Sequence, residues 1–125
     1  MPLGECQITA FIATIRPHEA LRFYTQTLGL QLLENTPFAL VLAAPNAVVR
    51  IQKVQELNPH PFTSLGWNVS DIRATSSQLA AKGVTFQRFP GLTQDDLAIW
   101  TSPSGAKVCW FKDPDGNFLS LTQHP

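Results

Sequence analysis

An α+β chain made of two copies of one strand–helix–strands unit is the fold class this sequence predicts, and three observations carry that reading. A run rich in β-branched and aromatic residues heads each half, at residues 7–15 and 64–69. Each run is followed by a stretch with apolar residues at helical spacing. Each such stretch ends on a glycine, Gly29 or Gly83, where a left-handed cap is wanted. A length of 125 residues argues for one domain, residues 1–125, with one module at about 7–54 and the other at about 63–123.

The elements follow in order. Residues 7–15 read as a buried strand. Arg16-Pro17-His18-Glu19 opens a helix, because proline is tolerated in the first turn and Glu19 suits the positive end of the macrodipole. Its apolar stripe is Ala20, Leu21, Tyr24 and Leu28, flanked by Phe23. Strands are expected at 30–34, 38–43 and 47–53, separated by the turn sequences Asn35-Thr36-Pro37 and Ala44-Pro45-Asn46. A proline-broken connector, with Asn58-Pro59-His60-Pro61, spans 55–63.

The second copy starts with a strand at 64–69, and Asp71 stands where a helix N-cap belongs. Ile72, Thr75, Leu79 and Ala80 form the helical stripe. A short strand is expected at 84–88, and a loop through 90–96 leads to strands at 97–101 and 107–112. Asp113-Pro114-Asp115-Gly116 makes a tight turn into the last strand, 117–123. Laid side by side, the halves place Thr9 opposite Ser64, Phe11 opposite Gly66 and Ala13 opposite Asn68. The repeat is one of pattern, since identity between the halves is negligible.

Composition narrows the function classes. Hydrophobic residues make up 44% and charged residues 14%, and nine basic residues balance nine acidic ones. Nucleic-acid binders usually carry a basic surplus, because phosphate neutralisation supplies most of their affinity, so no nucleic-acid partner is expected. Low net charge leaves little self-repulsion against oligomerisation. Cys6 and Cys109 stand far apart and read as reduced thiols of a cytoplasmic protein. The N-terminus lacks a basic segment followed by a long apolar run, so no signal peptide is expected. No stretch approaches the ~18–20 apolar residues of a membrane span.

Two segments give the chain a family resemblance. Phe23-Tyr24 followed by Leu28-Gly29-Leu30, and Trp110-Phe111-Lys112-Asp113-Pro114-Asp115-Gly116-Asn117, resemble the helix ending and the Phe-x-Asp-Pro-Asp-Gly-Asn turn of the vicinal-oxygen-chelate superfamily. That superfamily includes glyoxalase I, extradiol dioxygenases and bleomycin-resistance proteins. The resemblance implies two tandem βαβββ modules whose curved mixed sheet surrounds a cavity. Proline fixes φ and glycine supplies φ > 0 in the Asp-Pro-Asp-Gly turn, so Asp113 and Asp115 read as structural rather than as catalytic acids.

Metal-dependent members of the superfamily hold one divalent ion with His, Glu or Gln from the first and last strands of each module. The corresponding positions here are Thr9 and Ser64, then Arg50 (Gln52 if the register slips by two) and Ser120. None of these four is a His, Glu or Asp. Hydroxyls are weak neutral ligands and a guanidinium repels a cation, whereas typical sites use imidazole, carboxylate or thiolate. His18, His60 and His124 sit in a helix start, a connector and the C-terminus, and are not expected to meet. The expectation is no metal and no cofactor.

Strand alternation then points Thr9, Phe11 and Ala13 into the cavity, with Ser64, Gly66 and Asn68, with Phe118, Ser120 and Thr122, and with Val48, Arg50 and Gln52. Trp100 and Trp110, on neighbouring strands, offer an aromatic wall for a planar ligand or serve as core, while Trp67 faces the helix layer. Arg50, if buried in its apolar strand, needs a counter-charge (a ligand carboxylate, Glu34, or an acidic residue at 95–96); otherwise it takes an exposed edge position. Cys109 reads as a buried inert thiol, and residues 89–96 as a lid or an ordinary surface loop. The leading function is a metal-free small-molecule-binding protein, sequestering an aromatic or carboxylate-bearing compound. By resemblance it is a homodimer. The rivals are a lyase, isomerase or dioxygenase-like enzyme with an unrecognised site, and a protein-interaction domain.

Overall fold

β1 (Ile8–Thr14) starts the first of two units, Met1–Asn58 and Pro59–Pro125, in a computed structural model that describes all of residues 1–125. It is followed by α1 (Pro17–Arg22), a π-helical segment (Phe23–Thr27), and strands β2 (Gln31–Asn35), β3 (Ala39–Ala44) and β4 (Ala47–Lys53). The sheet order is β1-β4-β3-β2, with β1 parallel to β4 and the other pairs antiparallel. A parallel pair requires a long crossover, which the helix and the two intervening strands supply. Register stands Phe11, Arg50, Val41 and Glu34 abreast across the four strands. The alternate face carries Ile12, Ile51, Leu40, Val49 and Leu42, all buried, and with Ala20 and Tyr24 they make the core of this unit.

The expected single helix widens halfway. Leu28 N–H donates to the Phe23 carbonyl at 2.9 Å, five residues back, and Leu30 N–H donates to Tyr24 at 2.9 Å. The Thr25 hydroxyl donates to the Leu21 carbonyl at 2.6 Å, competing with the backbone ladder where the wide turn lies. Gly29, with φ at +81°, then ends the helix as its position predicts.

The second unit contains β5 (Thr63–Asn68), α2 (Ile72–Ala81), β6 (Trp100–Thr101), β7 (Lys107–Lys112) and β8 (Phe118–Gln123), in sheet order β5-β8-β7-β6. Again the first and last strands are parallel and the rest antiparallel. Each unit thus carries one four-stranded mixed sheet, as the repeat predicts. Asp71 caps α2 by accepting from Ala74 N–H at 3.1 Å, and Ile72 N–H donates to Gln123 Oε1 at 2.9 Å, tying that end to β8. Asp113 Oδ1 accepts from Asp115 N–H (2.9 Å) and Asn117 N–H (3.0 Å), and its Oδ2 accepts from Asn117 Nδ2 (2.9 Å). The Asp-Pro-Asp-Gly turn is therefore held by its own buried side chains.

Two strands expected here are largely absent. In 84–88 there is only an isolated bridge of Phe86 to Phe111, with Gln87 N–H donating to the Trp110 carbonyl at 2.8 Å, and 97–101 shrinks to Trp100 and Thr101. Side-chain bonds take over much of the ladder. Gln94 Oε1 accepts from Phe89 N–H (2.8 Å), and its Nε2 donates to the Gln87 (2.9 Å) and Ala98 (2.8 Å) carbonyls. Asp95 Oδ1 accepts from Leu97 and Ile99 N–H, each at 2.9 Å. Ala98 takes φ of +63°, which no extended strand permits. Residues 89–96 are a stitched loop rather than a loose flap.

Candidate open-face site

Each sheet has a helix-packed face and an open face, and strand alternation assigns the side chains. In the second unit the packed face holds Leu65, Leu119 and Phe111 in one row and Trp67, Leu121 and Cys109 in the next. Trp67 stacks on Phe111 at 6.4 Å, which places it in the packed layer as alternation predicts. Cys109 Sγ lies 3.4 Å from Ser76 Oγ of α2, and burial pushes the thiol's pKa up. It is a buried structural group.

The open face of the second unit is an aromatic row with hydroxyls. Gly66, Ser120 and Trp110 stand abreast, and the next row is Asn68, Thr122, Val108 and Trp100. The Trp100 and Trp110 rings lie 6.2 Å apart at 33°. Phe89 meets Trp110 edge-on at 5.3 Å and Phe118 at 5.9 Å, and Lys112 Nζ sits 5.1 Å over the Phe118 ring. Ser120 is only 8% exposed. A Cβ on Gly66 would come within 2.6 Å of Ser120 Oγ, so glycine is what leaves that hydroxyl its room. A recess of about 420 Å³ adjoins the row, lined by Thr93, Gln94, Asp95, Ile99, Trp100 and Thr101.

The open face of the first unit carries Phe11, 57% exposed, beside Arg50, with Thr9 paired to Val48 and Gln52 paired to Ala13. Arg50 is half-buried between Phe11 and Val41. Of the expected counter-charges, Asp95 and Asp96 are taken by Arg73, at 2.9 and 3.4 Å. Glu34 is two strands away in the same row, roughly 10 Å at ordinary strand spacing.

The structure places the sequence-selected residues unevenly. Thr9, Phe11, Arg50 and Gln52 share one open face; Asn68, Trp100, Trp110 and Ser120 share the other. Ser64 stands apart, in a β-bulge between Thr63 and Leu65, where alternation no longer fixes its direction. Asn68 Oδ1 is 3.1 Å from His124 Nε2, so part of its hydrogen-bonding capacity is engaged. Sequence reasoning missed Phe89, which lies in a loop without periodicity. Lys112 was findable, since it shares strand parity with Trp110.

A divalent ion does not fit these residues. The positions that hold it in metal-dependent relatives offer two hydroxyls and a guanidinium here, plus a bulge serine. No three His, Cys, Asp or Glu side chains gather anywhere as a possible metal site. His124 faces Asn68, and Cys109 lies on the packed face.

Two βαβββ units, each with a packed and an open sheet face, define a glyoxalase-type fold. The chain belongs to the Glyoxalase/Bleomycin resistance protein/Dioxygenase superfamily, whose family profile matches residues 7–121. Among solved structures it is similar to an antibiotic-binding protein of a Streptomyces species, at 23% identity and TM-score 0.74, covering 100% of this chain and 99% of that one. A superfamily member from Sphaerobacter thermophilus matches at 24% identity and TM-score 0.73, covering 94% and 96%. A lactoylglutathione lyase from Agrobacterium tumefaciens matches at 12% identity and TM-score 0.74, covering 97% and 95%. A comparison with curated proteins finds no match. At these identities the structural likeness speaks for the fold alone. No helix is long and apolar enough to cross a membrane.

Proposed function

We propose that this chain is a small-molecule-binding protein that holds an aromatic ligand on the open face of its second unit without a metal. The observation that carries the reading is the Trp100–Trp110–Phe89 cluster. Three large rings stand together on an open sheet face beside a hydroxyl-bearing row and a recess of about 420 Å³. Ligand sites of this kind combine apolar and aromatic walls with a few polar groups that fix orientation. On the first unit, taken by itself, Arg50 is half-buried and without a carboxylate partner and supplies a seat for an anion. An antibiotic-binding protein and a lyase share this fold at the same TM-score of 0.74, so the preference for binding over turnover rests on the residues of the face. Low net charge is compatible with a homodimer in the cytoplasm, and both belong to this proposal.

The test is a titration of tryptophan emission and melting temperature with 2-naphthol and 2-naphthoate. Both should quench emission and raise the midpoint. Trp100→Ala should weaken both by about tenfold, which corresponds to about 1.4 kcal/mol; the Arg50 seat is tested by itself with acetate, whose binding Arg50→Gln should remove and Trp100→Ala should leave. If neither compound binds, or if EDTA abolishes binding, the reading fails. Chemical conversion of a bound compound would move the protein to the enzyme class.

A further inference from the structure

We propose that the second unit carries a separate ligand site on the helix side of its sheet, shaped for a small zwitterion with an apolar side chain, such as an α-amino acid. A cavity of about 270 Å³ lies there among α2, residues 84–88 and residues 96–98. It is distinct from the open-face row: Phe86 pairs with Phe111, and Ser76 meets Cys109, both on the packed face, whereas Trp100 and Trp110 occupy the other. Its origin is the shortened edge. Where β6 keeps only two residues, no strand closes the gap beside α2.

The chemistry grades from apolar to charged. Ala80, Val84, Phe86 and Leu97 form the walls, and fully buried Ser76 lies deepest with its hydroxyl engaged by Cys109. Exposed Arg88 and Asp96 stand at the rim. Arg88 uses one N–H on the Asp95 carbonyl at 2.8 Å, which leaves most of its five donors available. Asp96 holds Arg73 only loosely, at 3.4 Å, and its side chain is 78% exposed. An anion alone would meet the Asp96 carboxylate, and a cation alone the Arg88 guanidinium. A ligand carrying both charges close together, with an apolar tail for the walls, satisfies all three features. The volume suits a molecule below drug size. Gln94 and Asp95 hold the Ala98 backbone in its left-handed conformation, so this wall is formed before any ligand arrives.

The full chain should be titrated calorimetrically, and by thermal shift, with leucine, phenylalanine, 4-methylpentanoate and 3-methylbutylamine. An amino acid is expected to bind and raise the midpoint, with the acid and the amine each at least tenfold weaker. Arg88→Gln and Asp96→Asn should each cost about tenfold, and Ala80→Phe should abolish binding by filling the cavity. Ala80 is exposed on α2, so folding should survive; Leu97→Trp is a second filling variant should Ala80→Phe misfold. Trp100→Ala should leave amino-acid binding unchanged, which separates this site from the open-face proposal. The inference is overturned if no amino acid binds at millimolar concentration. It is also overturned if both filling variants bind normally, if the singly charged analogues bind equally well, or if Trp100→Ala removes the binding.

Discussion

A carboxylate that accepts several hydrogen bonds inside a closed turn is costly to remove, because its donors are left facing a buried gap. Asp113 accepts three and is 6% exposed. Asp113→Ala should destabilise the chain by about 3 kcal/mol, read as a lower urea midpoint at unchanged slope. Cys109 gives a second test at the same scale. Burial raises its pKa above the ordinary 9.0, so above about pH 9 the unfolded chain releases the thiol proton while the folded chain keeps it. The folded state then binds more protons, and stability must fall as pH rises through that window, by at most about 1.4 kcal/mol per pH unit. Comparing unfolding of wild type and Cys109→Ala from pH 8 to pH 10.5 isolates this slope, which should be present only in wild type. An equal slope in both would assign the loss to other groups.

Among the elements, the loop at 89–99 departs most from a regular strand, and one side chain explains much of it. The Gln94 amide ties Phe89, Gln87 and Ala98 together with three bonds. Gln94→Ala should raise amide exchange across 87–99 by at least tenfold and leave β7 and β8 protected; uniform protection would show that the Asp95 bonds suffice. The same amide shows where sequence reading stopped. The strand patterns at 84–88 and 97–101 are genuine as composition, yet a polar residue capturing three backbone groups on both sides of itself, up to seven positions away, leaves no periodic trace. By contrast Asp71, Gly29, Gly83 and the Asp113 turn act within four residues of chain, and the sequence shows each of them directly. The π-helical segment lies between these cases: Tyr24 and Leu28 are visible as a stripe, but the Thr25 bond to Leu21 that accompanies the widening is not.

At the scale of the whole molecule, the repeat is legible because it is written as a pattern of β-rich run, helical stripe and terminal glycine, which needs no sequence identity between the halves. Which face each residue takes follows from strand alternation, and it fails at Ser64, where a bulge adds one residue. The aromatic row was half legible, since Trp100 and Trp110 obey parity while Phe89 arrives from a loop. What the fold does not transmit is chemistry: the scaffold that holds an ion in some relatives here presents Thr9, Arg50 and Ser120. A resident metal binds the native state in preference to the unfolded one and stabilises it by RT ln(1 + [L]/Kd), several kcal/mol for a tight site. For a chain of this size that is roughly 10 °C in melting temperature or more. Protein purified without added metal and dialysed against EDTA should therefore melt within about a degree of the undialysed sample, and zinc, nickel or ferrous iron restored at equimolar level should not raise the midpoint. A stoichiometric ion in elemental analysis, together with a fall in the midpoint on its removal, would mean that ligands come from outside the positions considered and would reopen the enzymatic reading.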